Sequence, residues 1–193
     1  MIVTDLRTTP LVLPLDRPIG NATATITKFS CIAIHLETDE GLVGENLIFT
    51  IRPEQHKMLD QMVHVLADAV IGKSPDMVTA FWQEAWQRIN FIGFSGVSIM
   101  GISAIDGALW DLRGKAAARS IARLLGQARS RVPAYASGGL WLNQDIDEIA
   151  RQAADFVAAG FGAVKLRLAG NAVTDVPRAT AEREAIGPQT GLM

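Results

Sequence analysis

The C-terminal third of the chain alternates strand-like and helix-like segments, and this alternation limits the possible folds more than any other feature. VPAYASGGLW, from Val132 to Trp141, predicts a short strand ending at Gly-Gly, and Asp145 to Ala159 predicts a helix with one apolar face. FGAVKLRL predicts a second strand, and a second helix is predicted from about Thr174 to Ile186. Strands and helices at this spacing indicate βαβ units and a parallel sheet. Two such units cannot close a barrel, so we expect this part to be incomplete.

The preceding residues predict strands followed by helices. Phe29–Thr38 and Leu42–Thr50 flank Asp39-Glu40-Gly41, which predicts an antiparallel hairpin. Ile2–Leu15 can add another strand, and LDRPIGNATATITKF has the composition of a loop. After Pro53 the apolar period becomes helical, with helices predicted up to residue 70, over Asp76–Ile89 and over Ser98–Ala118. We therefore predict an α+β domain over residues 1–127 and a second domain over residues 128–193.

Charge and composition exclude several classes of function. The chain carries 18 basic and 20 acidic side chains, a net charge of -2, which gives no electrostatic basis for binding nucleic acid or an anionic membrane surface. The single Cys31 excludes an intramolecular disulfide framework, and no stretch approaches the length of a membrane helix. We expect a soluble cytoplasmic protein.

The strand AVKLRL carries two cations where apolar residues are usual. Side chains two apart share a face of a strand, so Lys165 and Arg167 point one way and Val164 and Leu166 the other. An exposed sheet face would explain the pattern in an isolated strand. Strands of parallel sheets are usually covered, however, and two covered cations need anionic partners. We refer to Lys165 and Arg167 as the cation pair.

Two segments resemble a known family. AIDGALWDLRGKAAARSIARLLG, from Ala104 to Gly126, is similar to the signature helix of the mandelate racemase and muconate lactonizing enzyme branch of the enolase superfamily. GFGAVKLRL resembles the second barrel strand of that family, which usually carries Lys-x-Lys. The resemblance covers essentially the whole chain. It implies an N-terminal α+β capping domain followed by the start of a (β/α)7β TIM-like barrel, incomplete in this chain.

The resemblance also implies chemistry on the α-proton of a small-molecule carboxylate substrate, a sugar acid. Removing this proton requires stabilisation of an enediolate, which the family achieves with Mg²⁺ and cationic side chains. Lys165 matches the first Lys of the motif and is expected to neutralise the substrate carboxylate. Arg167 matches the second, which acts as a base in racemases of the mandelate type.

Arg167 departs from the usual Lys, and this departure favours dehydration. Arginine stays protonated near neutral pH, so it is a poor proton acceptor but a good bidentate ligand for a carboxylate. A racemase needs two competent bases, whereas an acid-sugar dehydratase can use one, supplied by a His on a later strand. We therefore expect an acid-sugar dehydratase. A racemase or epimerase of hydroxy or amino acids, and a catalytically inactive truncated fragment, stay open.

Four further residues are candidate substrate contacts by the same resemblance. Ser137, at the end of the first barrel strand, matches a position that contacts the substrate carboxylate in some relatives, although a turn serine before Gly-Gly explains it equally well. Asn21 and Thr23 lie in one of the two family loops that close over the substrate, and Phe49 lies in the other. We expect these loops to set specificity.

The resemblance places the Mg²⁺ ligands on carboxylates at the ends of the third, fourth and fifth barrel strands. PQTGLM, residues 188–193, resembles the entry to the third strand, before the first expected ligand. We therefore expect no metal ligand within residues 1–193, and no tight Mg²⁺ binding or turnover by this chain alone, as a fragment or a truncated gene product. We also expect a homo-oligomer. In the inactive-fragment alternative, self-association would cover the open barrel edge.

Overall fold

The computed structural model of the chain describes residues 1–50 and 52–193, and these form two compact units. The first unit comprises Met1–Pro14 and Lys28–Ala128, and the second comprises Leu15–Thr27 and Arg129–Met193. The second unit thus includes residues 15–27, which the sequence did not predict. A domain division at residues 127 and 128 stays a prediction.

The helices and strands follow one another along the chain as strands first, then helices, then alternating strands and helices. In chain order they are β1 (Val3–Gly20), β2 (Thr25–Thr38), β3 (Val43–Thr50), α1 (His56–Val65), α2 (Val78–Arg88), α3 (Val97–Ala116), α4 (Ile121–Leu124), α5 (Ile146–Ala158), β4 (Ala163–Val164), α6 (Ala172–Ile186) and β5 (Gly191–Leu192). Single turns of 3-10 helix flank α1 at Pro53–Gln55 and Ala67–Ala69.

The strands β1, β2 and β3 form one sheet in that order, and β2 and β3 are the predicted antiparallel hairpin. Cys31 pairs with Phe49 and Glu37 pairs with Val43, so the turn falls at the predicted Asp-Glu-Gly. Side chains on one face of β2 are fully buried, as the alternation of a half-buried strand requires. These are Ile32, Ile34 and Leu36.

The segment LDRPIGNATATITKF, predicted as a loop, is mostly strand. β1 and β2 extend into it from both sides and leave only residues 21–24 as a turn. Pro14 and Pro18 do not end β1, because β1 lies at the edge of the sheet, where a proline can face its missing N–H away from the partner strand. The β-branched run Thr25-Ile26-Thr27 then starts β2. The loop prediction was wrong because the Pro, Gly, Asn and Thr content of the segment was taken as that of a loop.

Helix α3 packs directly on β3. A Cβ at Gly44 would lie 2.3 Å from the carbonyl oxygen of Ala108, and one at Gly107 would lie 2.2 Å from Nδ2 of Asn46. That same amide nitrogen donates hydrogen bonds to the carbonyl oxygens of Ser103 (3.1 Å) and Ala104 (3.0 Å). The small residues of α3 therefore allow a helix-to-strand approach that side chains would prevent.

The second unit contains the start of a parallel sheet. β4 pairs in parallel with β5, and Ala136 forms a parallel bridge to Val164 on the other side. Backbone bonds continue this pattern, since Lys165 N donates to Ala136 O and Leu166 N donates to Met193 O, both at 2.9 Å. The predicted strand–helix–strand order is present, with strands that pair regularly over fewer residues than predicted.

The helices of the second unit begin at side chains that cap them. Asp145 Oδ1 accepts a hydrogen bond from Glu148 N at 2.7 Å at the start of α5. Asn171 Oδ1 accepts one from Val173 N at 3.0 Å at the start of α6. Each cap satisfies a backbone N–H that the first helical turn leaves without a partner. The capping residues therefore fix where the chain leaves each strand for the following helix.

Each unit has its own buried apolar cluster. In the second unit the cluster joins the parallel strands to α5 and α6, and its buried members are Ala136, Leu140, Ile149, Ala153, Val164, Leu166 and Ile186. In the first unit the cluster lies between the sheet and the helices. Within residues 1–50 and 52–193, none of the helices is both long enough and apolar enough to span a membrane.

Candidate functional site

The cation pair lies on the opposite face of its strand from the buried cluster. Val164 is fully buried and Leu166 is 7% exposed, whereas Lys165 and Arg167 are partly exposed. This is the alternation that the sequence predicts. The strand therefore directs two cations away from the apolar core of the second unit.

The guanidinium of Arg167 is held from three sides. Its Nη2 donates to the carbonyl oxygen (3.0 Å) and to Oγ (3.2 Å) of Ser137, and Nη1 donates to the carbonyl oxygen of Lys165 (3.3 Å). The ring of Trp141 lies 4.8 Å from its Cζ, within the range of a cation–π contact. Arg167 and Ser137, predicted separately from the sequence, are thus direct neighbours.

Arg167 and Ser137 retain hydrogen-bond donors that are available to a ligand. The hydrogen on Nε and the second hydrogen on Nη1 of Arg167 take no part in these bonds. Ser137 Oγ accepts from Arg167, so its own hydroxyl hydrogen is free to donate. Arg167 can therefore offer an anion two guanidinium donors, and Ser137 can offer one hydroxyl donor.

The ammonium of Lys165 has no hydrogen-bond or ion-pair partner among the residues that the structure describes. The Arg167 beside it makes hydrogen bonds only to neutral oxygens within that part of the chain. Two partly buried cations on one strand face, without a carboxylate, favour binding of an anion because the anion offsets their repulsion and desolvation.

Residues 137–144, which we call the glycine loop, place Trp141 against Arg167. Leu140 adopts a left-handed backbone (φ 57°) with its side chain fully buried. Gln152 of α5 accepts a hydrogen bond from Leu140 N at 2.8 Å and leaves no room for a Cβ at Gly139, which would lie 2.7 Å from Oε1. Gly139 therefore lets α5 hold the loop close to the strand. Trp141 was not predicted from the sequence; an aromatic residue two positions after a strand-ending Gly-Gly is the signal that could have found it.

Arg178 of α6 holds the other end of the glycine loop. It is 7% exposed, and it donates to the carbonyl oxygens of Gln144 (Nη1) and Trp141 (Nη2), both at 2.8 Å. Trp141 N in turn donates to Oε1 of Gln144 at 2.6 Å. A buried, charged donor bound to two carbonyls is a strong brace for a loop.

The candidate residues Asn21 and Thr23 lie at the tip of the β1–β2 hairpin, residues 18–24, which belongs to the second unit. Asn21 Oδ1 accepts hydrogen bonds from Thr23 N (2.9 Å), Thr23 Oγ1 (3.0 Å) and Ala24 N (2.8 Å). The Asn21 oxygen therefore builds the turn itself. Their predicted contact with a substrate stays a prediction.

The candidate Phe49 lies in the first unit, at the end of β3. Its ring is 59% exposed and stacks on Phe29 of β2 at a centroid distance of 5.9 Å. The exposed Phe49 ring is available for contact with a ligand, and its predicted role stays a prediction.

Glu182 is a buried acid that the sequence analysis missed. Its side chain is fully buried in α6, and neither carboxylate oxygen has a hydrogen-bond partner among the described residues. Burial raises the pKa of this carboxyl to about 7, an effect that Arg178 and Arg183 partly oppose. Position 182 follows Arg178 by one helical turn, but only the packing of α6 reveals that it is buried.

Within residues 1–50 and 52–193, no three His, Cys, Asp or Glu side chains are close enough to hold a metal ion. The cation pair itself would repel Mg²⁺, which takes oxygen ligands. The described residues therefore do not fit a Mg²⁺ site.

Residues 3–126 match the family model described as mandelate racemase / muconate lactonizing enzyme, N-terminal domain. The chain belongs to this family. Residues 1–127 were predicted to form the α+β capping domain of that family, and the match covers nearly all of them. The following parallel strands and helices are the start of its barrel, which is incomplete in this chain.

Relatives of known activity extend over both units. A 3,6-anhydro-alpha-L-galactonate cycloisomerase of Streptomyces coelicolor is 30% identical over 97% of this chain and 52% of its own length. An L-talarate/galactarate dehydratase of Salmonella typhimurium is 28% identical over 94% of this chain and 47% of its own. The chain spans about half the length of these relatives.

Solved structures of the family share this fold. The L-talarate dehydratase from Polaromonas, complexed with Mg and L-glucarate, superposes with a TM-score of 0.88 at 30% identity, over 100% of this chain and 53% of its own. Bound Mg²⁺ in such structures agrees with the cofactor that the resemblance implied.

Proposed function

We propose that the whole protein is a Mg²⁺-dependent acid-sugar dehydratase, which removes the α-proton of a sugar-acid carboxylate and then eliminates water. The observation that carries this proposal is the cation pair: Lys165 has no anionic partner among the described residues, and Arg167 is fixed beside it with donors to spare. Relatives named as dehydratases of galactarate, talarate and arabinonate support the substrate class.

Each residue of the pair has a distinct proposed role. Lys165 neutralises one oxygen of the substrate carboxylate, which lowers the energy of the enediolate as negative charge moves onto that group. Arg167 donates from Nε or from Nη1 to the same carboxylate, and Ser137 donates from its hydroxyl. Because Arg167 is bound to two carbonyl oxygens and stacked on Trp141, it serves as a fixed cation and not as a base.

Mg²⁺, when bound, supplies further stabilisation of the enediolate charge. The described residues provide no ligand set for it, so only the cationic side of the site is derived from this chain. The 193 residues alone are therefore proposed to be inactive.

Product analysis of the whole protein tests the proposal. With aldonic and aldaric acids and Mg²⁺, a dehydratase yields a 2-keto-3-deoxy acid. Solvent deuterium exchange at the α-carbon without loss of water would instead support a racemase or epimerase, which the related Streptomyces coelicolor racemase with bound magnesium keeps as the second candidate. Ring opening or closure without water loss would place it with the cycloisomerases. If no acid shows turnover or exchange with the whole protein, the proposed function is wrong.

The proposed partner is thus a small-molecule sugar acid, with no nucleic acid or membrane. A homo-oligomer and a cytoplasmic location belong to the same proposal. Sedimentation of the chain as a monomer at all concentrations would contradict the proposed homo-oligomer.

A further inference from the structure

The tip of the β1–β2 hairpin is attached to the glycine loop mainly through one side chain. Asn143 Oδ1 accepts a hydrogen bond from Gly20 N, and Asn143 Nδ2 donates to the carbonyl oxygen of Pro18, both at 2.8 Å. A backbone bond from Leu142 N to Gly20 O, 3.0 Å long, lies beside them. The amide of Asn143 thus pairs with a donor and an acceptor on the hairpin, as a neighbouring strand would.

Gly20 fits this arrangement and no larger residue does. A Cβ at position 20 would lie 2.8 Å from Oδ1 and 3.0 Å from Cβ of Asn143. The backbone of the hairpin therefore approaches the Asn143 side chain as closely as atoms allow.

Other contacts hold the hairpin tip weakly. Arg17 pairs with Glu148 of α5, but the Arg17 side chain is 82% exposed, so water screens this ion pair. Beside the attachment lies a cavity of about 540 Å³, whose lining includes Ile19, Trp141 and Asn143. The tip borders open space on that side, so the bonds to Asn143 carry much of its positioning.

The glycine loop links this attachment to the cation pair. Trp141, two residues before Asn143, stacks on Arg167, and Arg178 fixes the loop through the carbonyl oxygens of Trp141 and Gln144. A shift of the loop would therefore move the hairpin tip and the Arg167 platform together.

We propose that Asn143 is a positioning residue, which fixes the hairpin tip relative to Arg167 and thereby sets the space for the hydroxylated carbons of a sugar acid beyond its carboxylate. This inference rests on the proposed function for its substrate and on the structure alone for its attachment. A three-carbon 2-hydroxy acid has fewer hydroxylated carbons to place, so we expect its binding to be independent of Asn143.

The attachment is tested on the 193-residue chain by amide hydrogen exchange. Asn143→Ala is expected to accelerate exchange in peptides covering residues 17–24 about tenfold, since both side-chain bonds are lost, while peptides from β3 are unchanged. Asn143→Asp keeps the acceptor for Gly20 N and loses the donor to Pro18, so it is expected to give an intermediate rate. The control is Asn90→Ala, an exposed asparagine of the first unit. Unchanged exchange in Asn143→Ala would overturn the attachment.

The specificity is tested in the whole protein by steady-state kinetics. Asn143→Ala is expected to raise KM for a six-carbon aldaric acid about tenfold with kcat changed less than about twofold, and to leave a three-carbon hydroxy acid unaffected. Equal loss for both acids, or loss in kcat alone, would overturn the positioning role. Absence of turnover in the unmodified protein would reject the proposed function instead, and the exchange experiment would still decide the attachment.

Discussion

Two regions of the chain differ in whether their charged side chains have partners of opposite charge. At the α3–β3 contact of the first unit, Lys115 Nζ lies 2.7 Å from Asp111 and 2.8 Å from Glu45, and Glu45 N donates to Asp111 at 2.8 Å. Both acids hold the pKa of Lys115 above its ordinary value, Asp111 more strongly. In the second unit, Lys165 and Glu182 have no partners of this kind among the described residues.

The contrast separates charges that stabilise the fold from charges available to a ligand. A cation that already has two carboxylates gains little from a third anion, whereas an unpaired cation gains an interaction that the folded chain alone does not provide. Strongly perturbed or unpartnered ionisable groups are therefore the better candidates for a functional site.

The largest expected effect is on catalysis by the whole protein. Lys165→Met is expected to lower kcat/KM for a sugar acid by about 10³-fold, the loss typical of removing one charge-stabilising group, with little change in stability. Lys115→Met is the matched control. It is expected to lower the free energy of unfolding by about 1 kcal/mol and to leave kcat/KM unchanged. Steady-state kinetics measure the activity of both variants, and calorimetry measures their Tm. A loss of stability without a loss of activity in Lys165→Met would contradict the contrast between the two regions.

Glu182 gives the next largest effect, on the pH dependence of stability. Its folded pKa of about 7 exceeds the ordinary value of 4.5, so the folded state binds the proton more tightly than the unfolded state. The contribution of Glu182 to stability is therefore fully present below pH 4.5 and is lost as the pH rises through 7, a change of up to about 3 kcal/mol. Glu182→Gln is expected to remove this fall, as measured by urea unfolding at pH 4.5 and pH 8.

Asp175 provides a control of opposite sign for Glu182. Backbone N–H groups of Ala169, Asn171 and Gly170 lower the pKa of its carboxyl, that of Ala169 most. Its contribution to stability is present at neutral pH and is lost as the pH falls through the folded pKa. Asp175→Asn is expected to destabilise the chain at pH 7 and to have less effect in acid. The same pH slope in Glu182→Gln and the unmodified chain would contradict the burial argument.

The sequence predicted the cation pair because period-two alternation is a local property, visible at Lys165 and Arg167 without any knowledge of the fold. The contact of Arg167 with Ser137 depends on the parallel register of Ala136 with Val164, which no local pattern reports. Trp141 and Glu182 escaped prediction for a related reason. The position of Trp141 requires the left-handed turn at Leu140, and the burial of Glu182 requires the packing of α6. Both features follow from tertiary contacts.

A smaller effect is expected from filling the glycines of the two regions. Gly44→Ala places a Cβ 2.3 Å from a backbone oxygen of α3, so β3 or α3 must shift, at a cost of about 1–3 kcal/mol. Gly138→Ala, in the glycine loop, meets no described atom within 4 Å and is expected to leave stability within about 0.5 kcal/mol. Chemical unfolding of both variants measures the difference. Equal losses would show that the glycine loop is as closely packed as the α3–β3 contact.

The smallest expected effect is the response of the 193-residue chain to Mg²⁺. Acids of the first unit, such as Asp111 and Glu45, are already bound to Lys115, and the strand face of the second unit carries Lys165 and Arg167. No cluster of three ligating side chains exists among the described residues to offset the cost of dehydrating the ion. Calorimetric titration is therefore expected to show no stoichiometric binding, with Tm unchanged by millimolar Mg²⁺. A sugar acid is expected to raise Tm slightly without the metal, and Lys165→Met is expected to abolish that rise. Tight Mg²⁺ binding would mean that the carboxylates of the first unit exchange their lysine partner for a metal, and the contrast between the two regions would then be wrong.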